Sequence, residues 1–177
     1  MVIGITIVMT SHLPQPSFEE VFTVTDYYDG PRQGIANYLG SPHFYDCIFS
    51  DQKQDFTCVY HLTPLTDQIF RLALENWAIW KRWEHAFKSG KTSMDSHPAL
   101  PEDAVRHREI EALVADHLKT DPSKSTVRAA KFLALRQAEV GSGVLADLLV
   151  KWSEPSDTLN DRIWADQRDA SGQIESS

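Results

Sequence analysis

Between Val21 and Leu62 the chain carries four short runs rich in β-branched and aromatic residues, separated by glycine, proline and small polar residues. Val21 to Thr25 sets Phe22 and Val24 on one face, as period-two alternation does in an extended strand. The Asp29–Gly34 segment, with two glycines and a proline, predicts a loop rather than a tight hairpin. Ile35 to Leu39 predicts a second strand, Gly40-Ser41-Pro42 a turn, and His43 to Phe49 a third strand. The polar Ser50–Asp55 loop leads to a fourth from Phe56 to Leu62. The expectation is an antiparallel meander. If the last loop is centred between Gln52 and Lys53, Phe49 faces Phe56, Cys47 faces Cys58 and Tyr45 faces Tyr60, all on one face of the sheet. Asp46 and His61 then share the other face, diagonal to each other.

The period changes at Thr66. Wound at about 100° per residue, Thr66 to Lys88 gathers Ile69, Leu72, Ala73, Trp77, Ile79, Trp80, Trp83 and Phe87 on one arc. Arg71, Glu75, Lys81, Arg82, His85 and Lys88 fall opposite. Thr63-Pro64 suits a helix start, and Gly90 suits its stop. Pro101-Glu102-Asp103 opens a second helix that runs to about Lys119, before Asp121-Pro122. From Ser125 the pattern is ambiguous: Val144, Ala146, Leu148, Val150 and Trp152 alternate, yet Leu145, Leu148, Leu149 and Trp152 also match a helical face. The Gly141-Ser142-Gly143 break favours a hairpin between 127–135 and 144–152 that joins or caps the first sheet. Leu159, Ile163 and Trp164 suggest a short docking helix.

The resulting fold class is α+β: an N-terminal antiparallel meander, open or curled into a partial barrel, packed on a long tryptophan-rich helix. A second helix and a C-terminal hairpin complete it. Residues 1–20 are expected as a flexible lead-in, 21–155 as a single domain and 156–177 as an extension with a loose tail. Met9 offers a second start position, ahead of a polar lead-in.

Composition narrows the function classes. The chain has 177 residues, 42% hydrophobic and 24% charged, ordinary values for one globular core. The net charge is −8, and residues 1–66 hold only Arg32 and Lys53 against seven carboxylates. Phosphate backbones are bound by Lys and Arg displacing counterions, so nucleic acid is not expected as a partner. No apolar run is long enough for a membrane span. Two cysteines do not make a secreted disulfide framework, and free thiols in the cytoplasm are the expectation.

No phosphate-cradling loop, nucleophile elbow or paired CxxC motif is present in the sequence, and no cofactor or metal is expected. Three constellations remain. Asp46 and His61 form the minimum set for general-base work, a carboxylate orienting an imidazole; the bland alternative is a polar pair on a solvated face. Glu84, with Asn76, falls inside the apolar helical arc, where a carboxylate must be paired or protonated; it is a candidate acid or an anchor for a basic group. Tyr27, Tyr28, Asp29 and Arg32, with His43, Tyr45 and Tyr60 on neighbouring strands, could receive a cation or a basic peptide. More often such tyrosines are core edges.

The run Asp26-Tyr27-Tyr28-Asp29-Gly30-Pro31-Arg32-Gln33-Gly34-Ile35-Ala36, followed by Gly40-Ser41-Pro42-His43-Phe44-Tyr45, resembles a family of uncharacterised bacterial proteins. The tryptophan helix and His97-Pro98-Ala99-Leu100-Pro101 are similar to it too, so the resemblance covers about residues 20 to 120. It implies no activity. The leading expectation is an acidic interaction or inhibitor module, of the immunity type, for a basic protein. The alternatives are a small hydrolase or metal-assisted enzyme using Asp46 and His61, and a small-ligand module with a tyrosine-lined pocket.

Overall fold

The computed structural model describes residues 17–28, 30–134 and 147–156. The expectations for the lead-in up to residue 16, for Asp29, for the 135–146 connection and for residues 157–177 lie outside the described residues. Six antiparallel strands close into a barrel in chain order, with two helices inserted between the fourth and fifth. The strands are β1 (Glu19–Tyr27), β2 (Pro31–Tyr38), β3 (Ser41–Ser50), β4 (Asp55–Pro64), β5 (Thr126–Ala134) and β6 (Leu148–Ser153); the helices are α1 (Asp67–Lys88) and α2 (Ala104–Val114). The α+β class, the meander and the C-terminal hairpin are as expected. Closure is complete rather than partial, because Glu19 and Glu20 of β1 pair with Val150 and Leu149 of β6. Pairing the first strand with the last leaves no free sheet edge.

The turns follow from local chemistry. Leu39 and Gly40 both have positive φ, 54° and 73°, between the paired residues Tyr38 and Ser41. Two consecutive left-handed residues make a two-residue hairpin whose twist matches the strands. The Glu19 carboxylate accepts from both of their amides, Leu39 N at 3.0 Å and Gly40 N at 2.8 Å. The expected Asp29–Gly34 loop is shorter than its composition suggests. Pro31 opens β2, where a missing N–H does little harm, and Gln33 and Gly34 already pair with Asp26 and Val24.

The β3–β4 register is half as expected. Phe49 faces Phe56 and Ser50 faces Asp55, but a bulge then places Cys47 opposite Tyr60, Asp46 opposite His61 and Tyr45 opposite Leu62. The slip is even, so every side chain keeps its face. Cys47 and Cys58 are therefore not opposite each other across the strands; both are buried, and no disulfide joins them.

The expectation of one core shared between sheet and tryptophan helix gives way to two. Inside the barrel, Ala36, Tyr45, Cys47, Tyr60, Leu62, Ala130, Val150 and Trp152 fill the lumen. Tyr45, Tyr60, Phe132 and Trp152 meet there with ring centroids 5.7–6.4 Å apart. The polar tips are satisfied: Tyr45 Oη donates to Thr23 O, Tyr60 Oη to Pro31 O and Trp152 Nε1 to Asn37 O. Outside the barrel, Ile69 and Ile79 of α1, Ala99, and Ile110 and Val114 of α2 form a second cluster.

Helix α1 is capped by Thr66, three residues later than Thr63, and Pro64 ends β4 instead; the Thr66 side chain accepts from Ile69 N. Its stop is the expected one. Gly90 has φ 69°, its amide donates to Phe87 O, and Lys91 N donates to Ala86 O, the two bonds of a Schellman end. The second helix is shorter than expected. The two helices run antiparallel and are tied by two forked ion pairs. Arg82 donates to both Asp103 oxygens (3.0 and 2.8 Å), and Arg106 to both Glu75 oxygens (2.7 and 2.9 Å).

Candidate functional site

The outer face of β1, β2 and β3 presents Val24, Ile35 and Phe44, all buried, towards the helices. The helices do not seal onto it. Between them lies a cavity of about 770 Å³ whose barrel wall is Thr23 to Thr25, Gln33 to Ile35 and Phe44. Its other walls come from Ala73, Asn76, Trp77 and Trp80 of α1, from His97-Pro98, and from His107, Glu111, Val114, Ala115 and Leu118 in and after α2. The volume is within the range of small-molecule sites, roughly 300–1,000 Å³.

Trp77 and Trp80 are stacked, 4.6 Å between centroids and 13° between planes. Both are half-buried, so the tryptophan stripe does not lie flat on the sheet as expected. Only Trp83 is fully buried, and it packs against the loop before α2: its Nε1 donates to Ser96 Oγ at 3.1 Å and its ring meets His97 edge-on at 4.5 Å.

The polar corner is built on α1 and α2. His107 is 7% exposed, and its Nδ1 lies 2.6 Å from Asn76 Oδ1. A carboxamide oxygen only accepts, so the ring carries a hydrogen on Nδ1, and its second nitrogen, Nε2, faces away from Asn76. That nitrogen lies 3.5 Å from Glu111 Oε1, one turn further along α2. The flanking Glu75–Arg106 pair bridges α1 and α2 one residue away from Asn76 and His107. The corner thus sets an imidazole nitrogen and a carboxylate side by side next to an aromatic wall.

His107 and Glu111 were not singled out in the sequence. A signal existed: wound as a helix, His107 shares a stripe with Ile110 and Val114, placing an imidazole on a buried face. Asn76 was picked out as a polar residue within the apolar arc of α1, and it is the His107 partner.

Asp46, His61 and Glu84 are not brought together. Asp46 does face His61, directly rather than diagonally. However, Asp46 Oδ1 accepts from Gln33 Nε2 at 2.9 Å and Oδ2 from Thr120 Oγ1 at 2.7 Å, which pins the segment after α2 to the barrel. His61 Nδ1 is buried with no hydrogen-bond partner. Glu84 lies on α1 and accepts from Lys88 Nζ at 2.7 Å, so its carboxylate is paired within its own helix. Neither Asp46 nor His61 lines the cavity. Among the described residues, no group of three or more His, Cys, Asp or Glu could hold a metal ion.

The tyrosine set divides as well. Tyr45 and Tyr60 are sealed in the barrel, and burial drives both hydroxyl pKa values upward. Tyr27 and Tyr28 are exposed. The cation expected over this cluster comes from within the chain: the Arg32 guanidinium lies 3.8 Å from the Phe56 ring centroid and 4.9 Å from that of Tyr28. His43 Nδ1 lies 2.9 Å from Ser41 O, and its ring meets Tyr38 edge-on.

No helix among the described residues is long and apolar enough to cross a membrane. Neither a protein-family model nor a curated protein nor a solved structure matches this chain. Its function must therefore be argued from the geometry of the cavity.

Proposed function

We propose that this protein is a small-ligand binding module whose site is the cleft between the barrel wall and the two helices. The observation that carries the proposal is the open 770 Å³ space bounded by stacked indoles and by the Asn76–His107–Glu111 corner. Apolar walls with a few convergent polar groups are the usual make-up of a ligand site. The pocket differs from the tyrosine-lined one expected from the sequence, because its aromatic wall is tryptophan and the tyrosines fill the barrel. The inhibitor reading loses support, since Arg32 already covers the aromatic cluster that would have received a basic partner. The hydrolase reading loses support as well, since Asp46 directs both oxygens to neutral donors.

The test is a thermal-shift and tryptophan-fluorescence screen of small aromatic and heteroaromatic compounds, with Ala115→Trp as the blocking variant. Ala115 is exposed at the cavity's edge, so a large side chain there fills the entrance without disturbing either core. A ligand at about one hundred times its Kd stabilises the folded state by about 2.7 kcal/mol, several degrees in Tm for a chain of this size. The expected result is a class of hits whose shifts and quenching vanish in Ala115→Trp. A screen in which no hit depends on residue 115 overturns the proposal.

A further inference from the structure

We infer that the ligand is an uncharged, elongated and largely apolar molecule with one polar group, of the alkylphenol type. This rests on the cavity being the ligand site, and it follows from how the lining is distributed. Among the described lining residues, Glu111 is the one Asp, Glu, Lys or Arg. Glu111 and Ala115, one turn apart, are exposed and form the rim. The Glu111 side chain is 59% exposed, so its charge stays in water. Behind the rim the apolar wall is Val24, Ile35, Phe44, Ala73, Val114 and Leu118. The lining also has a direction. Phe44 pairs with Thr63, whose Oγ1 accepts from Asp121 N, so Phe44 and Leu118 mark the end where the helices join the barrel. Asn76 lies ten residues beyond the Thr66 cap, about 15 Å further along α1. An apolar body lying towards Phe44 and Leu118 thus brings its polar group to the Asn76–His107 corner.

Neither sign of charge suits this space. Of the two lining imidazoles, His97 packs edge-on against Trp83, and His107, protonated or not, has the Glu111 carboxylate 3.5 Å from Nε2. An anion entering the corner therefore meets a carboxylate. A cation would leave water for walls whose one carboxylate stands at the rim. Burying an ion without a close partner costs far more than burying a neutral polar group. A hydroxyl both donates and accepts, so it suits the corner in any proton arrangement of the ring.

Para-propylphenol, para-propylbenzoate, para-propylbenzylamine and para-propyltoluene share one body and differ in the group at its end. At about pH 7 a phenol, which ionises near pH 10, is neutral, while the second and third are an anion and a cation. Each is titrated by calorimetry into the full-length protein and into Ala115→Trp. The phenol is expected to bind about tenfold more tightly than either ion. It should also bind at least as tightly as the toluene analogue, because the corner replaces the water bonds that the hydroxyl loses. Growth of the para chain from methyl to propyl should tighten binding about fourfold per carbon. All of this binding should vanish in Ala115→Trp. A benzoate or benzylamine that matches or exceeds the phenol overturns the uncharged class. A toluene analogue about tenfold tighter than the phenol overturns the place of the polar group, and a flat chain-length series overturns the apolar run. If none of the four binds, while other compounds from the screen bind in a manner blocked by Ala115→Trp, the ligand class is wrong and the site is right.

Discussion

Asp46 stands directly opposite His61 across β3 and β4, yet the carboxylate bonds Gln33 and Thr120 while the imidazole Nδ1 is buried without a partner. Asp46 fastens the segment that returns from α2 to β5, and His61 fills space beside it.

Asp46→Ala is therefore expected to destabilise the fold by about 1–3 kcal/mol, because it strands two donors in a half-buried site. His61→Leu keeps the volume and removes an unsatisfied buried nitrogen, so its cost is expected within about 0.5 kcal/mol of zero or on the stabilising side. Urea unfolding of the two variants measures both. A reversed order, with His61→Leu the more damaging, would show that the imidazole has a role that the register does not reveal.

Period two and period 3.6 were enough to read four strands and α1, because each signal is local. They also assigned Tyr45, Cys47 and Tyr60 to one face correctly despite the bulge, since an even slip conserves parity. The closure of the barrel was less legible. It depends on Glu19 meeting Val150, and no turn chemistry links residues that far apart. The second core and the cavity were hidden for a related reason. The arc on α1 says that Trp77, Trp80 and Trp83 avoid water, but not whether sheet, helix or loop covers them. His107 is paired to Asn76 across 31 residues, so only the packed helices bring the corner together.

At Gly34 the backbone of β2 leaves no room for a side chain. The Tyr45 hydroxyl crosses over it to reach Thr23 O, and a Cβ at position 34 would collide with that hydroxyl and with the Thr23 carbonyl. The carbonyl is backbone and cannot rotate away. Gly34→Ala is expected to cost about 3 kcal/mol or more, whereas Gly40→Ala, with open space but φ 73°, costs about 1 kcal/mol from backbone strain. Denaturant midpoints of the two variants rank them. Equal costs would mean that the strands part easily at Gly34.

Both thiols are expected to be chemically silent in the folded protein. Burial pushes the Cys47 thiol up to about 12 and raises Cys58 as well, and Cys47 donates to Thr57 O. The thiolate is the reactive form, so at about pH 8 neither should react with a disulfide reagent until the barrel opens. Two thiols per chain should appear in denaturant. Rapid labelling of either residue in native buffer would show that the barrel breathes on the timescale of the assay.

Acid should weaken the fold through the junctions on either side of α2. Ser123 and Lys124 hold the Asp121 carboxyl down from 3.8 to about 2, and the forked bond from Arg82 lowers that of Asp103. An ionised carboxylate that the fold favours binds fewer protons than the same group in the unfolded chain. Its stabilisation is therefore complete above the unfolded value and disappears as pH falls through the folded one. The urea midpoint should stay level between about pH 7 and 5 and drop between about pH 4 and 2. Asp121→Asn should flatten part of that drop, because the amide still accepts from Ser123 but no longer titrates. High salt should shrink the contribution of the exposed Arg82–Asp103 pair more than that of the Ser123 bonds, which involve a neutral donor. A midpoint that falls instead on raising the pH from 2 to 4 in the parent would reverse the sign, and would place the controlling groups outside these carboxylates.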